Sequence, residues 1–284
     1  MMTRLIRGAF VAASLAFSLA AATAQDSQPA PASPPPGQGT PVYGDSIYVN
    51  GNQVSALGNM VGGTGAIASR IASTDAYMFV RCIRHAPPQL LRPIVEGHAR
   101  SPATHDALDR VIRANAGCYQ GLGASPASAG QPYYGDCNPV TLRGNTLCRA
   151  VYDRGALIED AFKTYAPKFM LMPADMKNKA VIDRFASREA ARGNFRSPMD
   201  RRFYEAVACM VQKEPQRAIR LLRAEPGLDR EARLRQEMIF RSRTCIGNPN
   251  KLTVDPYQFR AYVADAVYHW TLAAKGVDTL VPAS

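Results

Sequence analysis

The sequence lacks most of what announces an enzyme. It has no His-Glu-x-x-His, no Gly-x-Ser-x-Gly and no Ser-x-x-Lys set in a recognisable context, so zinc-protease and serine-hydrolase signatures are absent. There is no Cys-x-x-Cys-His, which argues against covalent haem. Nor is there any Cys-x-x-Cys pair. Cys82 and His85 are spaced like two zinc ligands, but the matching position after Cys209 is Gln212, so no metal is expected. Gly62-Gly-Thr-Gly65 lacks the preceding apolar strand, the glycine spacing and the lysine of a nucleotide loop, and reads as a flexible link. No cofactor is implied. After Ala22 no segment is apolar enough to span a bilayer.

What is present begins at the N-terminus. Arg4 and Arg7 precede an apolar run from Gly8 to Ala22, and Ala22-Thr23-Ala24 offers small residues where signal peptidase reads. The run is about 15 residues, short of the roughly 20 a spanning helix needs. Residues 1–24 are therefore expected to be a cleaved signal peptide, with an uncleaved anchor as the alternative. No cysteine near the cleavage site suggests a lipoprotein. The expected location is the periplasm or the exterior.

Removing residues 1–24 leaves 32 basic against 23 acidic residues, a net charge of +9. That balance suits acidic partners: anionic lipid, lipopolysaccharide or an acidic polymer of the envelope. A specific nucleic-acid partner is not expected. The basic residues are mostly Arg and Ala is abundant, which a GC-rich genome also produces.

Residues 25–41 are rich in Pro, Ala, Ser and Gln and read as a disordered tether. Ile47-Tyr48-Val49 and Asn52-Gln53-Val54 flank Asn50-Gly51, a β-hairpin signal. Asp45–Gly51 also faintly resembles the short peptide by which outer-membrane receptors contact TonB. With the Gly-rich link, residues 42–68 form this second segment.

From Ser69 onward the periodicity is helical. Ser101 stands as an N-cap, Pro102 opens the helix and Gly117 lies past its end. Ala107, Leu108, Val111 and Ile112 share one face, with Arg110 and Arg113 away from it. Arg154–Tyr165 and Phe259–Leu272 are further helices, the second carrying an apolar stripe of Phe259, Val263, Ala266, Val267 and Trp270. The acidic Glu159, Asp160 and Asp265 fall beside these stripes and read as solvated.

The chain also repeats itself. Cys82, Pro88 and Cys118 recur in the same spacing as Cys209, Pro215 and Cys245, and seven of 46 aligned positions are identical. Arg154-Gly-Ala-Leu-Ile-Glu-Asp-Ala-Phe162 is echoed by Arg260-Ala-Tyr-Val-Ala-Asp-Ala-Val-Tyr268. The first copy is longer by 21 residues, a stretch that holds Cys137 and Cys148. In an oxidising compartment the six cysteines are expected to pair as Cys82–Cys118, Cys137–Cys148 and Cys209–Cys245, because each repeat closes on itself. The expected fold is all-α: two duplicated, disulfide-closed helical lobes, residues 69–172 and 173–284, behind a short β-hairpin and a disordered Pro-rich tether.

This repeated unit resembles a group of exported helical proteins of alphaproteobacteria. The resemblance runs from Ser69 to the C-terminus and implies the architecture. No activity is established for the group, so it implies no site residues.

Two functional readings follow. Arg217, Arg220 and Arg223 form a stripe opposite Ala218, Leu221 and Leu222, with Arg230 and Arg233 nearby. The matching residues of the first copy are Leu90, Pro93 and Glu96, so only one copy is basic there. This suits a non-enzymatic binding or structural protein with an anionic envelope polymer or lipid as ligand, and no catalytic residues. The alternative is an envelope hydrolase using Glu96, His98 and His105, with Asp106, as an acid–base set. It requires those side chains to converge in a cleft.

Overall fold

Proline and a capping side chain together start three of the described helices. The computed structural model describes residues 46–49, 64–119, 139–142, 145–247 and 251–283. The expected signal peptide, the tether, the second hairpin arm and Cys137 lie outside these residues. Helix α1 spans Thr64–Ile83, α2 Pro88–Glu96 and α3 Pro102–Ala114. Ser101 caps α3 as expected, its Oγ accepting from the Thr104 amide at 3.3 Å ahead of Pro102. Strands β2 (Val140–Leu142) and β3 (Asn145–Leu147) pair antiparallel. Helix α4 spans Ala150–Tyr165 and α5 Lys179–Gly193.

The chain then runs through α6 (Pro198–Lys213), α7 (Pro215–Arg223) and α8 (Asp229–Arg241). Ser197 caps α6 through the Asp200 amide at 3.2 Å. Strand β4 (Lys251–Val254) leads into α9 (Pro256–Lys275). Asp255 caps α9 by accepting from the amides of Tyr257 and Gln258 at 2.8 and 3.0 Å, and Gly276 closes it with φ 65°, a left-handed turn that suits glycine. Strand β1, Ser46–Val49, is the expected first hairpin arm. Its partner among the described residues is β4, in parallel register.

The structure is mostly helical, as expected. Helices α2 and α7 each have nine residues, α3 and α8 thirteen. Cys82–Cys118 and Cys209–Cys245 are both formed, each closing a separation of 36 residues with Cα–Cα distances of 5.6 and 5.7 Å. Cys148 is also disulfide-bonded, its expected partner Cys137 lying outside the described residues. Helix α1 packs on α4, and α6 on α9; α2 packs on α3 and α4, and α7 on α8 and α9.

The centre is α4 against α9, the most extensive helix pair among the described residues. Here the apolar stripe expected for α9 proves too narrow: every residue from Phe259 to Ala273 is buried. The reason is its neighbours, since α1, α4, α5, α6 and α7 all lie against it. Buried apolar residues from 72 to 281 form one continuous core across both stretches of helices.

Candidate functional site

At the heart of the core, α4 and α9 approach too closely for ordinary side chains. A Cβ built on Gly155 would stand 2.5 Å from the Ala261 Cβ, so glycine is required where the helices touch. Each helix carries an arginine one residue before this contact and an acid four residues beyond it. The contact therefore sets each arginine against the other helix's acid. Arg154 meets Asp265, with Nη1 to Oδ2 at 3.2 Å and Nη2 to Oδ1 at 3.3 Å. Arg260 meets Glu159, with Nε to Oε2 at 2.9 Å and Nη2 to Oε1 at 2.8 Å.

Both arginines also close the end of a short helix. Arg154 donates to the carbonyls of Ile94 (2.9 Å) and Gly97 (2.6 Å) at the end of α2. Arg260 donates to those of Leu221, Leu222 and Ala224, each at 2.9 Å, at the end of α7. Gly97 also accepts from Arg192 and Leu221 from the Ala224 amide, and the arginines add charge-assisted donors at both helix ends. Glu159 also accepts from the Tyr77 hydroxyl (2.7 Å) and from Lys163 (2.6 Å). Glu159 and Asp265, expected to be solvated, are buried at 1% and 3% exposure. Both still face an arginine, and burial alone would raise their pKa. The guanidiniums outweigh it and hold Glu159 below, and Asp265 well below, the usual carboxylate range.

Asp265 gathers a larger cluster than Glu159. Arg192, at the end of α5, donates to it at 2.6 and 2.9 Å, and Arg196 at 3.3 Å. Arg192 is also bound to Glu189, and the Arg196 guanidinium lies 3.6 Å from the centre of the Tyr204 ring. Arg196 reaches Asp200 at 3.3 Å, and Asp200 accepts from the Tyr262 hydroxyl at 2.5 Å. His98 Nε2 lies 3.0 Å from the other Asp200 oxygen. Burial, with Arg196 and Arg154 nearby, lowers the His98 pKa to about 4 despite that carboxylate. Three guanidiniums, those of Arg154, Arg192 and Arg196, thus face the carboxylates of Asp265, Asp200 and Glu189, and the set is neutral without a ligand.

A histidine–aspartate pair can serve as a general base when a substrate reaches it. Here both side chains are 3% exposed. The crevice beside them measures about 20 Å³, room for about one water molecule. Other buried charges pair off likewise. Arg149 is held by Asp153 at 2.8 Å and Asp75 at 3.4 Å, and Arg235 by Glu231 at 2.6 Å. Among the described residues no group of three or more His, Cys, Asp or Glu side chains is placed to hold a metal ion.

The residues of the expected acid–base set have separate surroundings. His98 turns into the core towards Asp200. Glu96 lies near Arg92, Arg188, Thr279 and Asp278, by the C-terminal segment. The partially exposed His105 has its neighbour Asp106 at 3.5 Å.

The five arginines expected to bind an anion divide into two groups. Arg217 is paired with Glu214 and, at 3.0 Å, with Glu237 of α8. Arg223 donates to the carbonyls of Pro167 (2.7 Å) and Phe169 (2.9 Å), closing the chain just beyond α4. Arg220, Arg230 and Arg233 are exposed. Ala218, Leu221 and Leu222, opposite the stripe, are buried as expected. Seven residues on from Arg233, on the same face of α8, Phe240 is 71% exposed.

A second feature escaped sequence reasoning: a groove of about 420 Å³ between α5 and α6, with Trp270 of α9 among its lining residues. Helix α5 falls in the expected second lobe but ahead of the residues whose spacing echoes the first, so that pattern carried no signal for it. The arginine–acid pairs did leave one. Arg154 with Glu159 and Arg260 with Asp265 occupy matching places in both echoed segments. No family model, curated protein or solved structure matches the chain.

Proposed function

We propose that this chain is an exported, non-enzymatic protein of the bacterial envelope that binds an anionic polymer or lipid through the outer face of α7 and α8. The observation that carries this reading is the joint exposure of Arg220, Arg230, Arg233 and Phe240. Residues 215–247 hold eight arginines and four acidic residues, a net +4. Guanidiniums bind phosphate or carboxylate in a fixed fork, and a projecting aromatic suits an interface with lipid. Arg223 adds its charge to this face while tied to backbone carbonyls, whereas Arg217 is offset by Glu214 and Glu237.

The first half offers no counterpart. Where the second has Arg220, Arg230 and Arg233, it has Pro93, Ala103 and Asp106. Such a difference fits an internal duplication in which one copy specialised, and the equal lengths of α2 and α7 and of α3 and α8 support that origin. Export rests on the N-terminal residues, and the disulfides fit an oxidising compartment. No described helix is long and apolar enough to cross a membrane. A hydrolase built on Glu96, His98 and His105 draws no support from their separate surroundings.

The test is retention on heparin and on phosphatidylglycerol vesicles across a salt series. Wild type should be retained at low salt and released as salt rises, since exposed charges are screened within about 8 Å at 0.15 M. Arg220→Ala/Arg230→Ala/Arg233→Ala should elute markedly earlier with unchanged thermal stability. Equal retention of the two proteins, or retention indifferent to salt, would sink the proposal.

A further inference from the structure

The α7–α8 face carries more than charge. Phe240 and Leu228 are the two most exposed large apolar side chains among the described residues, at 71% and 58%. A lone apolar side chain in water is ordinary. These two bracket one helix: Leu228 is the N-cap of α8 and Phe240 lies in its last turn, about 18 Å further along the axis. Arg230 and Arg233 stand between them, both exposed. Seven residues separate Arg233 from Phe240, and eleven separate Arg230 from the exposed Arg241. Those spacings keep each pair on one side of the helix.

The charge of this face is not cancelled from within. Three of the four acids in residues 215–247 are paired: Glu225 with Arg81 at 2.7 Å, Glu231 with Arg235 at 2.6 Å and Glu237 with Arg217 at 3.0 Å. The fourth, Asp229, is exposed beside Arg230. Arg220, Arg230, Arg233 and Arg241 stand outside those three pairs, four exposed guanidiniums against the one carboxylate of Asp229. The face is also held in place. Helix α8 packs on α7, and Cys209–Cys245 ties the chain four residues beyond α8 back to α6. Side chains displayed from a fixed helix pay less ordering entropy when they bind.

A soluble polyanion and an anionic bilayer would both satisfy these arginines, but only the bilayer satisfies the apolar ends of α8 as well. A polyanion in water offers no apolar phase, whereas a membrane interface sets phosphates directly above acyl chains. Resting on the reading of this face as anion-binding, we propose that its partner is the surface of a phospholipid bilayer with anionic headgroups. The guanidiniums of Arg220, Arg230 and Arg233 meet the headgroup phosphates, and Phe240 and Leu228 enter the acyl boundary. Helix α8, thirteen residues long, lies along the membrane and is too short to cross it.

Cosedimentation with vesicles, run beside heparin retention, tests the proposal. Wild type should bind vesicles of phosphatidylglycerol and not those of pure phosphatidylcholine. Leu228→Ala/Phe240→Ala should weaken partitioning into phosphatidylglycerol about tenfold or more, the factor that burial of a large apolar side chain supplies, with heparin retention and melting temperature unchanged. Arg220→Ala/Arg230→Ala/Arg233→Ala should weaken both kinds of binding. Phe240→Trp should keep vesicle binding, and its new indole should shift its emission to the blue, over the constant background of Trp270, which is 2% exposed. Wild-type partitioning by Leu228→Ala/Phe240→Ala, or an indole unmoved on bound vesicles, would overturn the bilayer and leave a soluble polyanion as the partner of the same face. An equal loss on heparin from Leu228→Ala/Phe240→Ala would overturn it too. Wild type that binds neither probe would overturn both this proposal and the anion-binding reading beneath it.

Discussion

Asp265 receives the side chains of Arg154, Arg192 and Arg196 within 3.3 Å, all of them in the core. Removing it strands positive charge where water does not reach. Breaking a buried pair from one side costs about 3–5 kcal/mol, because the survivor keeps its desolvation penalty without its partner. Asp265→Ala should therefore lose stability of that order in urea unfolding at neutral pH. A loss below about 1 kcal/mol would mean that the arginines find other partners at little cost.

His98 adds a pH dependence. It titrates near 6.5 unfolded and near about 4 folded, so between those values the unfolded chain binds more protons. Stability is then full above pH 6.5 and falls as pH drops towards 4, by on the order of 3 kcal/mol from this group. Asp200, Asp265 and Glu159, all lowered, add their own losses at still lower pH. Urea midpoints should fall as pH drops from about 6.5 to 4, and His98→Gln should remove part of that decline, burial of His269 supplying a further part in the same direction. A flat profile over this interval in wild type would refute the neutral, buried state of His98.

These residues also mark where sequence reasoning stopped. Periodicity placed Glu159 and Asp265 beside an apolar stripe, and a carboxylate there is ordinarily wet. Only the partner helix changes that, and periodicity of one helix carries no information about what lies against it.

Helices themselves were legible. Ser101 before Pro102 marked the start of α3, and the equal cysteine spacing anticipated the two disulfides that the described residues contain. The stripe on α7 was read correctly because that helix has one wet face, whereas α9 has none. Its burial follows from standing among five other helices, a property of assembly. The groove beside α5 was invisible for the same reason.

Gly155 is the element-scale counterpart of Asp265. With Ala261 Cβ only 2.5 Å from where its own Cβ would stand, even alanine must push α4 and α9 apart. The displacement would stretch both arginine–acid pairs at once. Gly155→Ala gains helix propensity of about 1 kcal/mol yet should destabilise the protein overall, with overpacking typically costing 1–3 kcal/mol. Gly155→Val should be worse. A stabilised Gly155→Ala, by thermal melting, would show that the crossing relaxes freely.

At the scale of the molecule, two similar runs of helices share one interior. Residues 64–165 and 198–275 contribute to one continuous core, and their most extensive contact is the α4–α9 crossing with its two reciprocal ion pairs. The shared apolar core and the buried ion pairs join the halves, while the exposed arginines and the groove lie outside that crossing. The central claim is that the halves form one cooperative body. Trp270 reports on the second half alone, whereas far-ultraviolet circular dichroism reports on helices throughout. Urea unfolding followed by both signals on one sample tests the claim most directly. The two transitions should coincide, with one midpoint and one slope; a Trp270 transition displaced from the helical one would show that the halves unfold separately and contradict the account.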